Sequence, residues 1–365
     1  MRVLQSATRV LAATILAALA VGCGKDSNAP DSPFDPAGTS SDLAAMNASF
    51  ESPAMASFSS AATDIAMTTG GSAALALQVR PTAMLAKGDK ASAMRYAGAL
   101  AKALTSRPRA SLAVAASVIP TELLGTTFVW DVETQQYAAS DLTGAPANGI
   151  RFLLYAVNPV TRIPTEPLTE VGYADVVTTA TSVNIVVVSD NVTYLDYSAR
   201  VAATSASSAN INVAGYVTNG QDRVNFDLDN GITINMTASD TTLDLTQDYL
   251  LTVPTRGAFR IDLESTLTTS FKTDNQALTL DLSAQGEHGV VRITGTETNG
   301  AGIFQVKVNG ELFATIEVTA GSQPVVTGKD GGALTADEEA ALENVFHVFG
   351  GGLEFFIGLL GPLDA

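Results

Sequence analysis

Residues 222–236 read DRVNFDLDNGITINM, and the way this stretch pairs decides the fold. Val224, Phe226 and Leu228 alternate with polar residues, and so do Ile232, Ile234 and Met236. Apolar positions at every second residue mark a strand buried on one face. Asn-Gly between two such runs is a hairpin signal. A two-residue loop, Asn230-Gly231, would put the two apolar sets on opposite faces. A three-residue loop, Asp229-Asn230-Gly231, pairs Leu228 with Ile232, Phe226 with Ile234 and Val224 with Met236. All six then share a face, and a slip of one residue would expose the whole set. A type I turn closed by a left-handed glycine suits that loop. The expectation is an antiparallel hairpin.

Residues 302–318, GIFQVKVNGELFATIEV, pass the same test. A Val308-Asn309-Gly310 loop pairs Val306 with Leu312 and Phe304 with Ala314, and sets Lys307 opposite Glu311 as an attractive pair. Further alternating runs cover 128–132, 151–157, 184–189, 193–203, 210–217, 242–252, 259–271, 277–284 and 290–296. About a dozen strands follow, each with one apolar face and one face of Thr, Asn, Ser and Asp. An open meander of this length is expected to curl into a half-barrel, barrel or sandwich. Residues 125–327 form this section.

Helices are expected on both sides of it. Residues 43–124 are rich in Ala, Ser and Met. Asp89 can cap a helix whose Met94, Ala97, Leu100, Ala101 and Leu104 share a face. Met46, Phe50, Met55, Phe58, Ile65 and Met67 suit a further helix or two, interrupted at Pro53, as core filler. At the other end, 328–365, Thr335 and Glu338 form a capping box. Leu342, Val345, Phe346, Phe349, Leu353, Phe356 and Leu360 then make an apolar stripe, loosened by Gly350-Gly351-Gly352. The fold class expected is α+β: a large curled antiparallel meander with both helical sections on its apolar face.

The chain begins MRVLQSATRVLAATILAALAVGCGKDS. Arg2 and Arg9 precede an apolar run, Val10 to Val21, roughly 18 Å long as a helix, against a bilayer core of about 30 Å. That is the layout of a signal peptide over 1–22. Ala20-Val21-Gly22-Cys23 resembles the lipobox of bacterial lipoproteins, although Leu19 sits four residues before the cysteine and Ala20 fills the slot where that family prefers Leu. The resemblance implies lipidation at Cys23, cleavage just before it and a membrane anchor. Gly24 in place of Asp implies the outer membrane if the cell is Gram-negative. Gly24 to Asp42, rich in Pro, Ser, Asp and Gly, is expected to be a solvated tether, so 23–42 forms the lipidated, disordered section.

Lys and Arg number 20 against 37 Asp and Glu, a net charge of −17. Such a balance argues against nucleic acid and anionic lipid surfaces as partners. The single cysteine leaves no disulfide within the chain. Histidines 288 and 347 have no metal-ligand partner at useful spacing, and no HExxH, nucleophile elbow or phosphate-binding glycine loop occurs. Neither metal, cofactor nor catalysis is expected. FVWDVETQQY with GIRFLLY gathers Trp130, Tyr137, Phe152 and Tyr155 around Asp131, Glu133 and Arg151. It suits either an aromatic ligand face or a hairpin core with Arg151 paired to an acid; strand propensity favours the core.

In layout the chain loosely resembles the periplasmic lipoprotein carriers and their receptors (LolA- and LolB-like half-barrels), in which helices cover an apolar concavity. That resemblance implies a non-catalytic, lipid-anchored envelope protein that binds or carries an apolar ligand. The ligand face or core would comprise Trp130, Phe152, Tyr155, Phe226, Ile234, Phe304, Phe346, Phe349 and Phe356. A structural or adhesive surface module without a ligand is the alternative, and an envelope hydrolase the least favoured.

Overall fold

A computed structural model describes residues 35–68 and 119–342, apart from 180–181, 204–206, 238–239, 271, 274, 321, 323 and 341. Two helices, α1 (Pro36–Phe50) and α2 (Pro53–Thr68), precede fifteen strands among the described residues. The strands are β1 (Thr127–Asp131), β2 (Gln136–Ser140), β3 (Gly149–Tyr155), β4 (Glu170–Thr178), β5 (Ser182–Ser189), β6 (Val192–Ala203), β7 (Ser208–Thr218), β8 (Arg223–Met236), β9 (Thr241–Val253), β10 (Phe259–Ser270), β11 (Gln276–Gly286), β12 (Gly289–Thr298), β13 (Ala301–Val308), β14 (Glu311–Val318) and β15 (Val325–Gly328). Residues 336–340 are helical. No helix among the described residues is long and apolar enough to cross a membrane.

The class is α+β, and the sheet is an unclosed meander. From β15 down to β3 every strand neighbours its predecessor in sequence. At the far end the order becomes β3-β1-β2. β2 folds back antiparallel on β1, and β3 joins the other side of β1 in parallel, with Phe128 opposite Phe152. The remaining registers described are antiparallel.

The hairpin expected over 222–236 is corrected: these residues form one strand, β8, between β7 and β9. Val224, Phe226, Leu228, Ile232 and Ile234 are all buried, and all are even-numbered. The period-two phase therefore runs unbroken through Asn230, and an extended chain keeps the apolar set on one face as well as a three-residue loop would. The second hairpin exists, but its loop is corrected too. Val308 pairs with Glu311 around a two-residue Asn309-Gly310 turn, both residues having positive φ. That is the turn whose twist matches antiparallel strands. Its register would put Ala314 out of phase, and a bulge after Lys307–Leu312 pairs Val306 with Ala314 and Phe304 with Ile316, in place of the Leu312 and Ala314 expected; Lys307 faces Leu312 and not Glu311. Strands β2, β4 and β15 lie outside the runs picked out above. β1 and β2 form the aromatic hairpin.

The chain divides into two compact units, the boundary falling within α1 and within β8. In the unit built on β1 to β7, α2 lies against β3 and its neighbours. Ala54, Met55, Phe58, Ala61 and Ile65 are buried, at the spacing of one helix face. Pro53 begins α2, where its missing N–H costs no helical hydrogen bond. The side chain of Met67 lies outside the described set. In the other unit, α1 begins at Pro36, within the stretch expected to be tether. Asp35 N–H donates to the His288 carbonyl (3.0 Å), and Leu43 and Met46 are fully buried. The expected helix from Asp89, Cys23, His347 and the stripe Phe346, Phe349 and Phe356 lie outside the described residues. The Thr335–Glu338 capping box forms, with Thr335 N–H to Glu338 Oε2 at 2.8 Å and Glu338 N–H to Thr335 Oγ1 at 3.4 Å.

Candidate functional site

Of the aromatic residues singled out around Arg151, Phe152 and Tyr155 are core in the structure, and Trp130 and Tyr137 are half-buried. Phe152 is fully buried and stacks on Phe128 (centroids 4.8 Å apart). Tyr137 meets Phe152 and half-buried Trp130 edge-on, at 5.2 and 5.5 Å. Its hydroxyl donates to the Leu153 carbonyl at 2.8 Å. Burial holds that phenol far above the ordinary tyrosine range. Asp64 of α2 accepts the Tyr137 backbone N–H, and burial raises its carboxyl pKa. Arg151 makes the acid pair, with Asp175 as its partner (2.7 and 2.8 Å) and Tyr173 beneath its guanidinium. Tyr155 is buried, and Phe226 packs beside Tyr197. These groups belong to one unit; Ile234 and Phe304, also buried, belong to the other. The remaining three of the nine, Phe346, Phe349 and Phe356, lie outside the described residues.

A different group stands out on the apolar face of the unit that holds β9 to β14. The inward phase comprises odd residues on β9, β10 and β12 and even residues on β8 and β11, as burial of Leu251, Leu263, Ile293, Ile234 and Leu282 shows. Polar residues interrupt that phase. Ser265 Oγ donates to Gln247 Oε1 (2.9 Å), Gln247 Nε2 donates to the Tyr249 hydroxyl (2.8 Å), and that hydroxyl donates to Asn230 Oδ1 (2.6 Å). Tyr249 and Ser265 are each 8 % exposed, whereas Asn230 and Gln247 are half-buried. Burial drives the Tyr249 phenol well above its usual pKa, so it stays a neutral donor.

The same face changes character along the strands. Leu263, Leu282 and Ile293 are each 1 % exposed, but Leu267 and Leu278, further along, are only half-buried. Leu267 sits opposite Leu278, and Leu278 opposite Glu297. Glu297 is thus a carboxylate in the apolar phase of β12. Its pKa is raised, first by burial, against the lowering effect of a hydrogen bond from the Gly300 N–H. No Lys, Arg or His among the described residues pairs with it. At the same end, Thr269 is 4 % exposed and its Oγ1 has no hydrogen-bond partner; Gln276, opposite it, is half-buried.

Two of these inward polar groups, Tyr249 and Glu297, have perturbed pKa values, which makes this face the candidate site. Asn230, Gln247, Tyr249, Ser265, Thr269 and Glu297 were all missed from the sequence. The signal was present: each is a polar residue in the apolar phase of its strand. Reading Asn230 as a turn hid the first of them.

At the opposite end of the same strands, His288 lies between two carboxylates, Nδ1 at 3.3 Å from Asp35 and Nε2 at 3.8 Å from Asp42. Arg256 reaches Asp42 at 3.7 Å. Burial raises the Asp42 pKa, with His288 and Arg256 opposing it. This cluster clasps the start of α1 to the β9–β10 and β11–β12 turns. No group of three or more His, Cys, Asp or Glu among the described residues could hold a metal ion.

No family model matches the chain, nor does any curated protein or solved structure.

Proposed function

We propose that the chain is a membrane-anchored cell-envelope lipoprotein that binds an apolar ligand without chemically changing it. The observation that carries this reading is the half-buried Leu267–Leu278 end of an otherwise closed apolar face, with inward polar groups around it. Leucine left half-open on the core side of a sheet gains by being covered, at about 25 cal/mol per Å² of apolar area. The anchor rests on the Ala20-Val21-Gly22-Cys23 resemblance, and Gly24 in place of Asp supports the outer membrane if the cell is Gram-negative. The test is native mass spectrometry of the full chain carrying Cys23→Ser, so that no attached lipid obscures a bound one. A co-purifying apolar molecule supports the reading, and a chain at its bare mass after exposure to cell lipids overturns it. Fractionation tests the anchor: Cys23→Ser moves the protein out of the membrane fraction.

A second reading, a structural or adhesive surface module, is favoured by the other unit. There α2 fills the sheet face with Met55, Phe58 and Ile65, each at most 2 % exposed. A chain that stays free of ligand but adheres to cell-wall material would fit this reading instead.

A further inference from the structure

We propose that the ligand is an amphiphile with an ammonium head, its apolar body lying over Leu267 and Leu278 and its head at Glu297. This rests on the carrier reading and goes beyond it by fixing the chemistry of the polar end.

The argument starts from what a carboxylate costs in that place. Ionised carboxylates are rarely taken out of water without a cationic partner. Glu297 occupies the position across from Leu278, where the strand phase calls for an apolar residue. One backbone N–H from Gly300 serves it, and no cation among the described residues does. The same end carries a second unmet polar group, the Thr269 hydroxyl, buried and without a partner on β10. β10 and β12 are separated by β11, so the two groups stand about 10 Å apart across the strands. Between them lie Gln276 and Leu278. A head with a positive charge satisfies the carboxylate; a carboxylate or phosphate head alone would be repelled.

The open apolar surface is bounded along the strands. Away from the Glu297 end, the inward residues pass from half-buried Leu267 and Leu278 to Leu280, 8 % exposed, and then to the closed core at Leu263 and Leu282. The Ser265–Gln247–Tyr249–Asn230 chain flanks that path and ends on the Asn230 amide N–H₂, which has no partner among the described residues. α1 is clasped at the opposite end of these strands, by His288 and Arg256, which leaves the Glu297 end apart from that contact.

Three single-chain probes of equal length separate the possibilities: dodecylammonium, dodecanol and dodecanoate, each below its aggregation threshold, titrated against the full chain carrying Cys23→Ser. The expected order is ammonium first, about tenfold tighter than the alcohol, with the carboxylate weakest. Glu297→Gln abolishes the preference for ammonium, and a cooperative melting transition shows that the variant is folded. Leu278→Asn weakens all three together. If no probe binds, the carrier reading fails and the head-group assignment with it. If the alcohol binds as well as the ammonium, the carrier reading stands and the ammonium head is wrong. If the preference survives in Glu297→Gln, the head is placed elsewhere and the proposal is overturned.

Discussion

Glu297 shows at the scale of one residue how a partly buried carboxylate weighs against the fold. Its pKa is raised by burial, so the folded chain binds a proton more readily than the unfolded one. The ionised carboxylate therefore costs stability above the raised pKa, and the cost fades as pH falls through that value to the ordinary carboxylate range. Glu297→Gln is expected to melt at a higher temperature than the parent at pH 7 and at the same temperature near pH 3. An equal gain at both would mean that packing, not charge, is responsible. Tyr249 is the reverse case. Tyr249→Phe leaves the Asn230 Oδ1 and a Gln247 N–H unpaired near the core and is expected to cost about 1–3 kcal/mol in urea unfolding. These residues were legible only in part. Each breaks the apolar phase of a run that sequence reading does find, but a polar residue in phase also marks a strand end or a turn. Only the pairing of neighbouring strands shows that Gln247, Ser265 and Glu297 lie within one sheet face.

Single strands and turns were more legible than their joins. Alternation located most strands to within two residues, because one-sided burial writes a period of two into the sequence. Asn-Gly misled twice, in opposite directions. At 309–310 it makes a tight turn with φ of 49° and 89°, one residue shorter than the loop expected, and a bulge then carries the pairing two residues past the register expected. At 230–231 it lies inside β8, and Gly231 is not among the positive-φ residues. Substitution distinguishes the two. Gly310→Ala forces a side chain into the left-handed region and is expected to cost about 1–2 kcal/mol. Gly231→Thr is expected to leave stability unchanged or raise it by about 0.5–1 kcal/mol, since a strand interior gains from a β-former. Denaturant titration of both variants checks the assignment; a loss at Gly231 as large as at Gly310 would restore the hairpin. α1 was expected to begin seven residues later than it does, since Pro36 to Asp42 has a tether's composition. Tertiary contacts decided otherwise: Asp35 and Asp42 face His288, and a Cβ at Gly38 would fall on the His288 ring. Gly38→Ala should speed hydrogen exchange in the first turn of α1 without changing exchange in β10 or β11.

Charge governs the chain as a whole. A net charge of −17 makes self-repulsion a standing cost, and the outward face of the sheet concentrates it. Asp248 lies opposite Glu264, and Glu264 opposite Asp281, so three carboxylates stand in one row across β9, β10 and β11. Like charges directly opposite on neighbouring strands destabilise the pair. Arg292 forks onto Asp281 and relieves one end of the row; Glu264 at its centre stays exposed. Screening shortens the reach of such repulsion from about 10 Å at 0.1 M salt to about 3 Å at 1 M. Added sodium chloride is therefore expected to raise the melting temperature, most steeply at low ionic strength, and Glu264→Gln should raise it at low salt and flatten the rise. A melting temperature that falls with salt would mean that attractive pairs such as Arg292–Asp281 outweigh the row. The same field bears on ligand choice, because an anionic amphiphile approaching this chain is repelled before it reaches Glu297 and a cationic one is drawn in. If the ammonium preference is set mainly by that long-range field, it should shrink with salt in parent and Glu297→Gln alike. If it is set by contact with Glu297, the parent should keep most of it at 1 M salt.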